Sequence, residues 1–424
     1  MLTWSFTLKT ACAVEKMSLL ALLLVSALAA ASGQHIRDVC SSSPLRQLEC
    51  RRPGLDAWDS LAQTPLGASH SAPPPWTFQG SCVTPENVTE SYCVYSSRGF
   101  ADGRGISILT TPERAEIIRR LPAFVEAGAL SRVNTDASPP YEERELPGRG
   151  RGLIANKTLH RGDQIFAHTP ILIVDEEAWQ DAETKQWIEM QKAAVNGLPP
   201  ASKEQFWELF GQPGEDPVSS RVDTNAFSID INETTHSAVL PEIARLNHDC
   251  RPNAGYFFDP QTLTHYVHAV TDISPGTEIT ITYIDPHMPR RHRLARLSQT
   301  WGFNCSCSLC SMHPSLTQAS DARLHQMHAL EERLQDWETA SPEIALAFVS
   351  LYEQERLYAS ISDAYRFAAL TFCAEGQRWS AIKYARLAIE IGMLNDGFLD
   401  EDVKQMMKLA KEPEKESCWL KRVM

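Results

Sequence analysis

The sequence contains no apolar run long enough to cross a bilayer. Its most apolar stretch, residues 18–31 (SLLALLLVSALAAA), has 14 residues, and a helical span needs about 20. It contains no excess of positive charge either. Forty Lys and Arg against fifty-three Asp and Glu leave a net charge of −13 over 424 residues. That balance argues against a protein that coats a nucleic-acid duplex, so no direct nucleic-acid contact is expected, while a basic partner such as a Lys-rich protein tail would be attracted. Eleven cysteines are too few for a disulfide scaffold, and the odd number leaves at least one for another purpose. There is no glycine-rich loop followed by a helix carrying Lys-Ser/Thr, and no strand–turn–helix dinucleotide fingerprint.

What is present suggests two or three domains, at roughly 100–200 residues each. Residues 1–34 read as a leader. Lys9 and Lys16 precede the apolar run, and Ala27-Leu28-Ala29 and Ala29-Ala30-Ala31 offer small-residue cleavage sites, the layout of a secretory signal peptide. Residues 35–142 form an extension and connector. Its four cysteines, Cys40, Cys50, Cys82 and Cys93, read as two disulfides with three pairings open. Sequons at Asn87, Asn156 and Asn232 would be glycosylation acceptors in a secreted chain. A bend is expected at Asp102-Gly103-Arg104-Gly105, and a helix starts at Pro112. Strand patterns occupy 143–174 and 225–285, notably Ile171-Leu172-Ile173-Val174 and the alternating 265–270 run. Residues 175–220 turn helical, with Trp187, Phe206, Trp207, Leu209 and Phe210 on apolar faces and Pro199-Pro200 between two helices. Residues 312–424 are helical, with one hairpin-like stretch from Tyr365 to Ile391.

Three segments carry chemistry. Cys305, Cys307 and Cys310 place three thiols within six residues, and zinc prefers four ligands in a tetrahedron. Cys250, among turn-forming polar residues, is the candidate fourth; in an oxidising compartment the same thiols would pair as disulfides. Alternating Gly148, Gly150 and Gly152 let a backbone approach a ligand closely. Asn247-His248 sits beside Cys250, whereas His160, His168, His265 and His268 read as packing or surface residues.

The ordered set of a Gly-x-Gly turn, Asn247-His248-x-Cys250-x-Pro252-Asn253, Gly276-x-Glu278-x-x-x-x-Tyr283 and Cys305-x-Cys307-x-x-Cys310 resembles SET-domain protein lysine methyltransferases, in particular the SMYD-like branch and fungal SET proteins. The resemblance covers about residues 145–311, within a domain drawn at 143–311, and the C-terminal helices also match that branch's helical tail. It implies an α+β fold: a β-rich pseudoknotted SET domain with a helical insertion at 175–220, a cysteine-rich tail and a C-terminal helical bundle. It implies S-adenosylmethionine held by Gly150, Arg151, Gly152, Asn225, Asn247, His248, Tyr283 and Phe303, with Tyr283 catalytic. Trp301, Tyr256 and Phe227 would wall a lysine channel, and Cys250, Cys305, Cys307 and Cys310 would hold a structural Zn2+.

The implied activity is methyl transfer to the ε-amine of lysine in a protein or peptide substrate, a histone tail among them. Two other readings stay open: an inactive SET-like binding or scaffold protein of the secretory route, and a methyltransferase for a non-histone peptide or a small molecule. The sequence departs from the family at Asp249, where Ser is common, and at Trp301, where a second channel tyrosine is common. Residues 175–220 contain no cysteine, so the branch's zinc-finger insertion is missing. The leader points to the secretory pathway or secretion, and the family to nucleus or cytoplasm.

Overall fold

The computed structural model describes residues 74–422 except 81, 87, 136 and 137. The apolar leader, Cys40, Cys50 and the Asn87 sequon lie outside the described residues. Among the described residues, thirteen strands form three sheets. The largest has the order β1-β2-β3-β7-β9-β8, from Phe78–Gln79, Cys93–Ser97, Ile106–Thr110, Leu172–Asp175, Thr234–Val239 and Ala226–Ile231. The connector thus supplies three strands to this sheet. β3 runs parallel to β7 and the remaining pairs are antiparallel. The bend between β2 and β3 needs glycine, because Gly105 has φ +74° and a Cβ there would lie 2.4 Å from the Pro199 ring.

β2, β3 and β7 are buried along their whole length, which is why Ile171-Leu172-Ile173-Val174 reads as a continuous apolar run. Ile106, Ile108 and Ile173 face the main core. Leu109, Leu172 and Val174 face the helical insertion. Short helices at Pro112–Ile118 (α1) and Pro122–Val125 (α2) belong to the connector; the insertion comprises α3 (Glu176–Asp181), α4 (Thr184–Gly197) and α5 (Pro200–Trp207) and leads into α6 (Ser219–Asn225). The break between α4 and α5 falls at Pro199-Pro200, as expected. Phe206 and Leu209 turn inward, but Trp207 and Phe210, expected on buried faces, are 43% and 57% exposed. Residues three apart share a helix face, so the two that point inward force their neighbours out.

A four-stranded sheet has the order β10-β13-β5-β4, from Asn247–His248, Glu278–Ile281, Gly150–Ala155 and Tyr141–Leu146. A three-stranded sheet, β11-β12-β6, uses Ala254–Asp259, Thr264–Ala269 and Gln164–His168. β12 alternates in sequence, yet all six residues are buried. The C-terminal helices explain this by covering its second face. They are α7 (Arg290–Trp301), α8 (Pro314–Gln335), α9 (Pro342–Gln354), α10 (Ser362–Ala374), α11 (Arg378–Asn395) and α12 (Glu401–Lys411). Phe398 meets Phe257 edge-on at 6.3 Å. A Cβ at Gly255 would lie 1.6 Å from Asn395 Oδ1, so α11 reaches the sheet only over a glycine.

The hairpin expected around Tyr365 to Ile391 is α10 against α11, with Phe372 and Tyr384 rings stacked at 5.5 Å. Among the described residues two disulfides are present, Cys82–Cys93 and Cys373–Cys418. The first is one of the three N-terminal pairings left open. The second joins two cysteines left unassigned, because the chain after α12 returns to α10 and brings Cys418 beside Cys373.

On the core face of β12, His265 is 1% exposed, lies among Phe227, Tyr256 and Phe258, and neither ring nitrogen has a hydrogen-bond partner. Burial pushes its pKa down to about 3. The unfolded chain takes up a proton near pH 6.5 that the folded chain refuses. The stability His265 contributes is therefore complete above that pH and lost as pH falls toward 3, by roughly 1.4 kcal/mol per unit. Urea unfolding of the wild type and of His265→Phe at pH 7.5 and pH 5 should show the variant gaining about 2 kcal/mol relative to wild type. A pH-independent difference would refute a buried neutral imidazole.

Candidate active site and cysteine cluster

Where the four-stranded sheet meets the insertion and the end of α7, a cavity of about 960 Å³ opens. Its floor begins at the β4–β5 turn. Gly148 and Gly150 adopt φ +73° and +67°, and a Cβ at either would meet open space, so peptide groups rather than side chains border the cavity. Arg151 lies at the rim, exposed and paired with Glu143 and Glu145 at 3.1 and 3.2 Å. Gly152 does not line the cavity. It sits behind Asn247, where a Cβ would lie 2.7 Å from Asn247 Nδ2 and 2.9 Å from Glu278 Oε1.

β10 and β13 pair in parallel, with Asn247 opposite Thr280 and His248 opposite Ile281. Asn247 Nδ2 donates to Glu278 Oε1 at 2.8 Å and to the Arg151 carbonyl at 3.2 Å. Asn253 clamps the same strand, donating to the Glu278 carbonyl at 2.8 Å and accepting from the Thr280 N–H at 2.9 Å. The His248 imidazole accepts the Tyr283 N–H at Nδ1, 3.0 Å away. Burial pushes its pKa down to about 4, so the ring is neutral at physiological pH and its proton sits on Nε2, 3.2 Å from Cys250 Sγ. Both ring nitrogens are therefore occupied by the protein. Only the His248 backbone remains to face the cavity, and its carbonyl accepts from Arg149 Nη2 at 3.1 Å.

Tyr283 donates its hydroxyl to the Leu246 carbonyl at 2.7 Å. Burial raises its pKa, so it stays a neutral phenol. Its ring centroid lies 5.3 Å from Trp301, whose indole N–H reaches the Thr224 carbonyl at 3.2 Å. Phe303 stands edge-on to Tyr283 at 6.5 Å, and Phe227 edge-on to Tyr256 at 5.5 Å; all these rings line the cavity. Asn225 also lines it, but its amide N–H group is spent on the Phe210 and Arg221 carbonyls, tying α6 to the loop before it. Asp249, where the family commonly has Ser, is not among the lining residues. Its carboxylate accepts the Arg251 N–H at 2.8 Å, and burial raises its pKa to about 6.

Sequence reasoning missed Arg149, Arg245, Trp207 and Phe210 in the cavity wall. Arg149 also lies 3.1 Å from Glu278, and its place between two glycines was the available signal. The other three come from tertiary packing and carry no local mark.

Cys250, Cys305, Cys307 and Cys310 are buried, and their sulfurs all lie within 4.8 Å of one another. Gly302, at φ +73°, ends α7 with a left-handed turn that aims the last three back toward Cys250. Cys250 and Cys310 sulfurs stand 3.5 Å apart, well beyond a disulfide bond of about 2.05 Å. A tetrahedral zinc–thiolate site with bonds of about 2.3 Å would set sulfurs about 3.8 Å apart, a spacing that lies between the 3.5 Å of Cys250 and Cys310 and the 4.8 Å limit of the whole group. Hydrogen bonds from Cys250, Cys305 and Cys310 already hold the Cys307 thiol well below its ordinary range.

Residues 150–284 match the SET domain model, and the relatives the chain resembles are lysine methyltransferases by name. Histone-lysine N-methyltransferase set5 of Schizosaccharomyces pombe is 27% identical over 281 residues, 64% of this chain and 84% of that protein. N-lysine methyltransferase SMYD2-A of Danio rerio is 27% identical over 292 residues, 61% of this chain and 65% of that one. N-lysine methyltransferase SMYD2 of Homo sapiens is 32% identical over 136 residues, 31% of this chain and 29% of that one.

Gly152→Ala should displace Asn247 from Glu278. The expected loss is about 1–3 kcal/mol of stability, read by denaturant unfolding, whereas Gly148→Ala, with open space around it, should cost only the strain of its positive φ. Equal stability of Gly152→Ala and wild type would show that the approach is not tight.

Proposed function

We propose that the protein transfers a methyl group from S-adenosylmethionine to the ε-amine of lysine in a protein substrate. The observation that carries this reading is one cavity bordered at one end by the bare peptide groups of the 148–151 turn and by Asn247, and at the other by a neutral tyrosine hydroxyl among aromatic rings. Bound there, S-adenosylmethionine would supply an electrophilic methyl group. Gly148, Gly150, Asn247 and the His248 backbone would hold it, and Arg151, Asn225 and Phe303 would complete its surroundings.

The chain's own task is alignment and charge control. In-line displacement gains most from a fixed approach of nucleophile to carbon. A lysine amine must also lose its proton, and desolvation between Trp301, Phe303, Tyr256 and Phe227 favours the neutral form. Tyr283 is positioned to orient that amine. Its proton is committed to the Leu246 carbonyl, so its oxygen would act toward the amine as an acceptor, and as a high-pKa phenol it cannot act as a general base. The four-cysteine cluster fits Zn2+ in a closed, structural role, fixing the tail that bears Trp301 and Phe303 against Cys250.

The acidic chain favours a basic peptide segment, so histone-type tails are the substrate class to test first. The Cys82–Cys93 and Cys373–Cys418 disulfides, with the apolar leader, support passage through an oxidising compartment. Zinc coordination would then protect the cluster thiolates from pairing.

Purified zinc-loaded protein incubated with labelled S-adenosylmethionine and a panel of basic proteins should transfer label to lysine. Absence of both cofactor binding and transfer would sink the proposal. Tyr283→Phe should lower kcat by about 10²-fold with little change in cofactor affinity; full activity would remove Tyr283 from its role. Elemental analysis should find one zinc per chain, and Cys307→Ser should lose it along with several degrees of Tm. A zinc-free, fully stable wild type would rule the site out.

A further inference from the structure

Outside the cavity, the most deeply buried ion pair among the described residues joins the SET domain to the C-terminal helices. Arg251 and Glu355 side chains are 3% and 1% exposed and meet at 2.9 Å. Arg251 directly follows the cluster ligand Cys250. Its Nη1 donates to the Cys250 carbonyl at 2.7 Å and to the Pro286 carbonyl at 2.9 Å. Its Nε donates to the Glu355 carbonyl, and its Nη2 to Glu355 Oε2 at 2.9 Å. One guanidinium thus grips three chain segments: the loop after Asn247-His248, the loop after Tyr283, and the end of α9.

Glu355 is held from the far side. Ser320 Oγ donates to Oε2 at 2.7 Å and Arg323 Nε to Oε1 at 2.7 Å, both from α8. The planar fork of arginine fits this set of acceptors, and a lysine could not span them. A buried pair of this kind is weak evidence for net stability, but it enforces a single arrangement of the groups it joins.

We propose that Arg251 and Glu355 are positioning residues, a latch through which the C-terminal helices hold the Asn247–Cys250 segment and the Tyr283 loop in register for cofactor and zinc. This rests on the functional reading above. Arg251 is the coupling element because it touches both loops; Arg323 pairs with Glu355 from α8 and serves as the structural control.

The test uses the full zinc-loaded chain with Glu355→Gln, Arg251→Lys and Arg323→Ala. S-adenosylmethionine Kd is measured by calorimetry, zinc release by transfer to a chromogenic chelator, and kcat at saturating cofactor. Glu355→Gln and Arg251→Lys should raise Kd at least tenfold, speed zinc release at least tenfold, and lower kcat, because the Tyr283 loop loses the same grip. Arg323→Ala should leave Kd and zinc release within twofold even if its Tm falls. If Glu355→Gln does not fold, Arg251→Lys, which keeps the charge, gives the result. Unchanged Kd and zinc release in Arg251→Lys overturn the latch, as does an Arg323→Ala effect as large as that of Arg251→Lys. Wild type that binds no S-adenosylmethionine defeats the functional reading instead, and zinc release alone then decides the latch.

Discussion

Four thiols gathered in a buried space are the constraint on which the rest of the site depends. Cys250 comes from the loop after β10, and Cys305, Cys307 and Cys310 from the turns after α7. Sulfurs this close gain little from packing. They require either a cation or the sharing of protons: hydrogen bonds within the cluster lower the Cys307 thiol and raise those of Cys250 and Cys305. A closed tetrahedral metal site would answer that need. A cation joining the four would hold the tail bearing Trp301 and Phe303 at the cavity mouth and tie it to the Asn247-His248 segment.

His248 extends the same constraint into the cavity. One nitrogen faces Cys250 and the other accepts the Tyr283 N–H. Because burial keeps the ring neutral, donor and acceptor ends are fixed, and the ring can satisfy both partners only in one tautomer. The backbone position of Tyr283 is therefore tied to the cysteine cluster through a single imidazole. On the opposite side, Arg251 ties the same loop to the helical region. The site is held from behind by groups that never face the cavity.

Much of this was legible in the linear order of residues. Gly148, Gly150, Asn247, Tyr283 and the cysteine triplet stand in short motifs whose chemistry is local: a bare backbone, a paired amide, a phenol, closely spaced thiols. The buried run at 171–174 and the helix start at Pro112 were legible because periodicity and capping are local too. Other features were hidden. Alternation along β12 suggested one solvated face, and only the arrival of α11 over Gly255 buries the other. Trp207 and Phe210 looked like core residues and proved to be cavity rim. His248 read as a cofactor ligand, and its ring proved to be spent within the protein.

The sequence by itself determined the class of domain, the cavity's main residues and the four cysteines, because each motif's chemistry is carried by neighbours along the chain. Only the tertiary structure decided which carbonyl takes the Tyr283 proton, which cysteines pair as disulfides, and that Glu355 reaches across to Arg251 over a separation of 104 residues. Those choices rest on hydrogen-bond geometry and burial between distant segments, where a shift of one ångström separates a bond from none.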